Sequence, residues 1–324
     1  MYPEDNKIVS RKRIRPHLII VFLAPFIFLI VGVYLTKDPK PPPAAVLPTA
    51  TEQPVTVTLT ATPSVTVSDY SYPTPAETPS TGTGGKSTAT QEPLPDTGDG
   101  PLPEFSPLAP QWRGLLTNGA RDELKVALTF DVCEREGDPA GFDEEIINVL
   151  IDKQVPATFF LGGLWMVHNQ ETTKELADNA LFELGNHSWS HLDFAQITPE
   201  QMNSEIALTQ QAMWKILGWQ TRLFRLPFGT YNEEALDVIA DYGMFTIQWD
   251  VVSGDPDPDI TAERMIPWVV GQVQPGSIII MHANGRGWHT AEALPTIIEA
   301  LQEQGYTFTT VSDLLELETA LDQP

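Results

Sequence analysis

One cysteine among 324 residues excludes an internal disulfide and any metal site built from cysteine alone. Basic residues are scarce: 19 Lys and Arg face 43 Asp and Glu. The resulting net charge of -24 argues against a nucleic-acid partner, because an acidic surface repels phosphates. Thr83-Gly84-Gly85-Lys86-Ser87 resembles the end of a nucleotide-binding loop. Ser80 stands where that motif needs its first glycine, and no apolar strand precedes it, so no nucleotide is expected.

Long runs that are both uncharged and apolar are equally rare, and the most apolar is residues 18–35, LIIVFLAPFIFLIVGVYL. A helix of 18 residues spans about 27 Å, close to a hydrocarbon core. Arg11, Lys12, Arg13 and Arg15 precede the run, which predicts a cytoplasmic segment over residues 1–17 and an exported C-terminus. A cleaved signal peptide is the alternative, but Thr36-Lys37-Asp38-Pro39 offers no small-residue cleavage site. The expectation is a single-pass transmembrane signal anchor at 18–36, placing the protein in the cell membrane with its globular part outside. Residues 37–111 hold 16 of the 29 prolines, with many Thr and Ser. That composition buries too little apolar surface to offset ordering entropy, so a disordered stalk is expected.

Residues 112–324 read as one domain, with 11 Lys and Arg against 33 Asp and Glu. Short apolar runs alternate with helical patterns. Strands are expected near 125–131, 157–161, 182–186, 222–226, 245–250, 277–283 and 306–311. Helices are expected at 143–154, 164–179, 199–217, 232–242, 261–274, 290–304 and 312–321. Seven strands each followed by a helix predict an α/β fold with a parallel sheet, either open or closed as a barrel. No dinucleotide glycine fingerprint follows the first strand, which argues against the Rossmann arrangement. In both architectures ligands bind at the C-terminal ends of the strands.

Ionisable residues gather at those ends: Asp131, His187 and His191, Arg225, Asp250 and Asp255, and His282. His187 and His191 are four apart; on one helical turn both imidazoles share a face and can share a metal. As loop residues they would need no metal. Asp131 suits a general base, since proton abstraction from water needs a carboxylate within hydrogen-bond reach. Arg225 can hold that carboxylate ionised. His282 can protonate a leaving group or serve as a core histidine. Cys133, without triad partners, reads as a small buried residue. Trp249 and Trp288 fit either core packing or stacking on sugar rings. The segment from His282 to Thr290 has the composition of a binding loop, with Arg286 and His289 free of an evident structural purpose.

Five ordered blocks carry a family likeness: Thr129-Phe130-Asp131, His187-Ser188-Trp189-Ser190-His191, Arg225-Leu226-Pro227-Phe228, Trp249 through Asp255, and Ile280-Met281-His282. Together they resemble the polysaccharide deacetylases of the NodB-homology type, carbohydrate esterase family 4. The resemblance covers roughly residues 124–315. It implies a distorted (β/α)7 barrel and a metal-dependent hydrolase that removes acetyl groups, N-acetyl above all, from a cell-wall or surface polysaccharide. The implied cofactor is a divalent metal, zinc first, with cobalt and nickel as alternatives. The implied roles are general base for Asp131, metal ligands for His187 and His191, and orientation of the base for Arg225. His282 is then the acid, tuned by Asp255 or, as second candidate, Asp250. Phe228, Trp249, Arg286, Trp288 and His289 are expected to bind substrate.

One departure matters. The family pattern has two consecutive aspartates, the second a metal ligand, and here Val132 follows Asp131. Glu134 is the expected replacement ligand, with Glu136, Asp143 and Asp131 itself as alternatives. Pro256 stands where Trp is usual in the family. Two other functions follow if the site does not operate as the pattern implies: an inactive glycan-binding relative, or a C–N hydrolase acting on a small non-sugar amide.

Overall fold

The structure, a computed structural model, describes residues 102–317. The expected anchor at 18–36 and nearly all of the expected stalk lie outside the described residues. Among the described residues no helix is long and apolar enough to cross a membrane.

Among the described residues nine strands form one sheet: β1 (Leu115–Leu116), β2 (Lys125–Val132), β3 (Ala157–Leu161), β4 (Phe182–Asn186), β5 (Leu223–Phe224), β6 (Phe245–Ile247), β7 (Val251–Val252), β8 (Ile278–His282) and β9 (Thr307–Phe308). Their order is β1-β6-β5-β4-β3-β2-β8-β7, with β9 added to β2, and every ladder is parallel. The helices are α1 (Glu144–Asp152), α2 (Gly163–His168), α3 (Gln170–Asp178), α4 (Pro199–Leu217), α5 (Glu233–Asp241), α6 (Ala262–Gln272), α7 (Thr290–Glu303) and α8 (Val311–Leu314). This is a parallel α/β half-barrel, consistent with the expected (β/α)7 fold. An antiparallel bridge from Asn118 to Ser277 ties the segment after β1 to the start of β8.

β2 is the central strand, and seven of its eight residues are buried. Burial on both faces requires a continuous apolar run rather than simple alternation. The two faces still differ, because successive side chains point to opposite sides. Val126, Leu128, Phe130 and Val132 pack into one cluster with α1, α6 and α7. Ala127 joins a second cluster with Phe160, Leu223, Ile247 and Ile278 inside the curve of the sheet. Thr129 and Asp131 share that inner side and carry the polar groups toward the strand end.

Several sequence expectations shift in detail. The helix expected over 164–179 breaks into α2 and α3 at Asn169, whose φ of -128° and ψ of 50° are not helical. The strand expected over 245–250 is divided between β6 and β7. The strand expected over 222–226 keeps ladder pairing only at Leu223 and Phe224, and Arg225 leaves it to reach inward. α4 has its expected bounds. Thr198 and Gln201 form a capping box at its start, and Gly218 closes it in the left-handed conformation, φ 79°. Leu108, ahead of Trp112, is buried and its N–H donates to the carbonyl of Ala240 at 2.9 Å, so packing begins before residue 112.

Candidate active site

The β2–β8 ladder sets Asp131 directly beside His282. Asp131 is buried, and Arg225 Nη1 donates to its Oδ1 at 2.9 Å and to Thr129 Oγ1 at 2.8 Å. The remaining guanidinium donors reach the carbonyls of Ile247 and Gln248 at 3.4 and 3.3 Å. Its face lies 4.0 Å from the Phe160 ring centre and 5.5 Å from that of Trp249. Arg225 is thus fully buried, and each of its three guanidinium nitrogens donates to a named oxygen. Burial opposes charge on Asp131, but its cationic surroundings, the Arg225 guanidinium that donates to it among them, outweigh it and hold the carboxyl below its usual range.

His282 Nδ1 lies 2.9 Å from Asp255 Oδ1, and its backbone N–H donates to Oδ2 at 2.7 Å. Thr290 and Ser253 also donate to Asp255, at 2.7 and 2.8 Å. Burial pushes the imidazole pKa down, yet Asp255 more than offsets it, so His282 titrates above the ordinary histidine value. Gly287 is needed here: a Cβ would sit 2.3 Å from the His282 carbonyl and 2.9 Å from Asp255 Oδ2. Asp250 is placed elsewhere. It accepts from Arg121 at 2.7 Å, from Ser277 at 3.0 Å and from the N–H of Ile278 at 2.9 Å, clamping the start of β8.

His187 and His191 do come together, with ring centres 5.0 Å apart, but not on a helical turn. Residues 187–191 form a loop stitched by side chains. Asn186 Oδ1 accepts from the Ser188 N–H at 2.8 Å, and Ser188 Oγ accepts from the His191 N–H at 3.1 Å. Buried Glu205 of α4 accepts from the Ser190 N–H and hydroxyl at 2.8 and 2.7 Å. Ser188 and His191 have φ of 65° and 61°, a left-handed conformation uncommon for residues other than glycine.

His187 Nδ1 faces the Arg225 carbonyl at 2.9 Å. A carbonyl only accepts, so Nδ1 carries the proton and Nε2 presents its lone pair, 3.5 Å from Asp131 Oδ2. His191 Nδ1 is buried with no hydrogen-bond partner among the described residues. Desolvation lowers both imidazole pKa values, that of His191 to about 3, so both rings are neutral and able to ligate. Ligand atoms of Cys133, His187 and His191 all lie within 4.8 Å of one another. Burial, followed by the Asp131 charge, pushes the Cys133 thiol to about 12.

Glu134, the expected third ligand, is corrected. Its carboxylate closes a short pair with His168 Nδ1 and accepts from the Ala140 N–H at 3.4 Å. The chain has already left β2 at this point, which carries Glu134 under the end of α2. His289 is also displaced from its expected role. It is exposed, pairs with Glu292 at 2.7 Å and precedes α7.

The other expected substrate residues line one cleft of about 470 Å³: Phe228, Trp249, Arg286 and Trp288, with Asp131, His191 and His282 at its base. Phe228 is 52% exposed and lies across His191, ring centres 4.5 Å apart, with Arg135 stacked 5.1 Å from its centre. Arg286 is held at the mouth by Asp138 at 2.9 Å. Sequence reasoning did not single out Arg135, Ser253, Thr290 or His168. Only Thr290 had a sequence signal, as the first residue of a helical pattern beside the presumed acid.

A polysaccharide deacetylase family model matches residues 118–247, the span holding Asp131, His187, His191 and Arg225. The chain is 30% identical over 200 residues to the peptidoglycan-N-acetylmuramic acid deacetylase PdaA of Bacillus subtilis, covering 61% of this chain and 73% of that protein. It is also 30% identical over 176 residues to the uncharacterized protein YlxY of the same organism, where it spans about half of each, 53%. Among solved structures it resembles BA3943 of Bacillus anthracis, a carbohydrate esterase family 4 pseudoenzyme, at 28% identity and a TM-score of 0.57, over 64% of this chain and 69% of that one. A BA3943 mutant with restored enzymatic activity has the same fold likeness. With Asp131, His282 and the histidine pair gathered at the strand ends, these matches make the chain a member of the polysaccharide deacetylase family, a family of carbohydrate deacetylases.

Proposed function

We propose that this chain hydrolyses acetyl groups, chiefly from N-acetylated sugars, on a cell-wall polysaccharide, and that it does so outside the membrane to which residues 18–36 tether it. The observation that carries this reading is the ladder pairing of Asp131 with His282, each locked by its own buried partner, Arg225 or Asp255. The pKa of one is pushed down and that of the other up, and the two lie side by side in a cleft with aromatic walls.

The roles follow from those states. Asp131 takes a proton from the attacking water as it adds to the acetyl carbonyl. His282 gives its proton to the departing nitrogen as the C–N bond breaks, releasing acetate and a free amine. Arg225 keeps the base ionised and aimed, and Asp255 keeps the acid protonated. Trp249, Trp288 and Phe228 offer flat faces to the sugar. The two neutral imidazoles and the orphaned His191 Nδ1 fit a divalent cation. Bound by His187 and His191, it would supply Lewis-acid polarisation of the acyl carbonyl. The activity named for PdaA supports peptidoglycan as the first substrate to try.

The test is acetate release from N-acetylated peptidoglycan by the full chain, beside Asp131→Asn and His282→Ala. Release that both variants lose by ~10²-fold or more supports the reading. Equal rates in all three proteins would overturn it. A second reading has its own support. Val132 is turned into the helix-facing core, so the expected carboxylate ligand is missing, and BA3943 is a pseudoenzyme of this family. Saturable binding of N-acetylated glycan with no acetate released under any divalent metal would favour it.

A further inference from the structure

We propose that Cys133 is the third protein ligand beside His187 and His191, its thiol proton released to solvent as the metal binds, supplying from the next residue what Val132 cannot, and making this a sulfur–nitrogen site suited to zinc. The inference rests on the metal-dependent reading above and deepens it.

Strand geometry gives the first argument. Side chains alternate along β2, and Val132 points with Phe130 and Leu128 into the helix-packed core. Position 133 returns to the side of Asp131, and Cys133 lines the same cleft as Asp131 and His191. Backbone contacts fix it there. The Val132 carbonyl accepts from the Gly162 N–H at 2.8 Å, and a Cβ at Gly162 would stand 3.1 Å from Cys133 Cβ. A side chain at position 162 would crowd Cys133, so glycine eases this close approach.

Distances give the second. Tetrahedral zinc with sulfur and nitrogen ligands places neighbouring ligand atoms about 3.4–3.6 Å apart. The three atoms here lie within 4.8 Å of one another, so small side-chain rotations bring them to that spacing. The third argument is independent of the cysteine. His191 Nδ1 is buried and unpartnered, while His187 Nδ1 spends its proton on a carbonyl and leaves Nε2 free. Asn284 Nδ2 donates to the Cys133 carbonyl at 2.8 Å and lies 3.7 Å from Sγ, the kind of outer contact that supports a ligating sulfur. A cysteine that merely filled space would need none of these polar neighbours. Thiolate and imidazole together select zinc or cobalt over magnesium, calcium or manganese.

The test is a cobalt titration of the full chain, read by bound metal and by near-ultraviolet absorbance. The chain has a single cysteine, so a thiolate-to-cobalt charge-transfer band can arise only from Cys133. The expected result is a band that saturates at about one cobalt per chain, a tetrahedral site's stoichiometry. Cys133→Ser should lose the band and bind cobalt about a hundredfold more weakly. Cys133→Asp should keep cobalt without the band, and His187→Ala should lose both. Cobalt bound by the unaltered chain without the band, and lost in His187→Ala, would overturn the sulfur ligand and leave the metal reading intact. No cobalt bound by any of the four proteins would overturn both.

Discussion

The two halves of the site are built differently. On one side, Asp131 with Arg225 and His282 with Asp255 are tied to strands and have hydrogen-bond partners at short range. On the other, His187 and His191 sit on a loop with left-handed residues and a buried nitrogen without a partner. The first half is complete as protein. The second has polar atoms aimed at a common point, and buried polar groups without partners are costly. A fold tolerates such a cost where a ligand removes it. The contrast suggests that proton transfer is set by the sheet and cation binding by the loop.

Variants can separate the halves. The largest effect is expected from Asp131→Asn, which should lower acetate release about 10²–10⁴-fold while bound metal changes little. Parallel loss of metal and activity would show that Asp131 also ligates. Arg225→Met comes next. It leaves a buried carboxylate unpaired and should cost about 3–5 kcal/mol in denaturant unfolding; a cost below about 1 kcal/mol would place the charge pair nearer to water than its burial indicates. Val132→Asp should lose about 1–3 kcal/mol, because the new carboxyl points into the helix-packed core. Tighter metal binding with an unchanged melting temperature would show instead that position 132 can turn toward the site.

The pH profile gives a subtler test. His282 must be protonated to act, and its pKa is raised by Asp255, so the alkaline limb of the rate should lie above the ordinary histidine value. Asp255→Asn removes the raising partner, and that limb should move to lower pH. An unmoved limb would assign it to another group. The smallest effect is expected from Glu134→Gln, which should leave metal stoichiometry unchanged because the carboxylate belongs to His168.

Much of this was legible in the sequence where local rules dominate. The apolar runs at 157–161 and 182–186 and the capped helix at 199–217 have their expected bounds. Asp131, Arg225 and His282 could be placed together because parallel sheets gather strand ends. The histidine pair was legible by spacing but not by conformation. Helical stacking is ruled out by Ser188 and His191, whose geometry depends on Asn186 and the distant Glu205. The placement of Glu134 beside His168 was hard to read for a related reason. Acidity was weighed, but not which face each residue after Asp131 would take as β2 ends. The alternation Val126, Leu128, Phe130, Val132 was the available signal. The pairing of Glu134 with His168 needed tertiary packing between segments 34 residues apart.

The register of Asp131 against His282 acts as a ruler. Neighbouring strands are held about 4.8 Å apart by their hydrogen bonds, whatever the surrounding loops become. A one-residue slip of β8 would send His282 to the opposite face and expose its apolar neighbours, so intermediate spacings are not accessible. A fold built on this sheet can therefore change its cleft walls and loops while the span between Asp131 and His282 stays fixed. Diversity in such a fold should accumulate in what the cleft admits, with the distance a proton travels left unchanged.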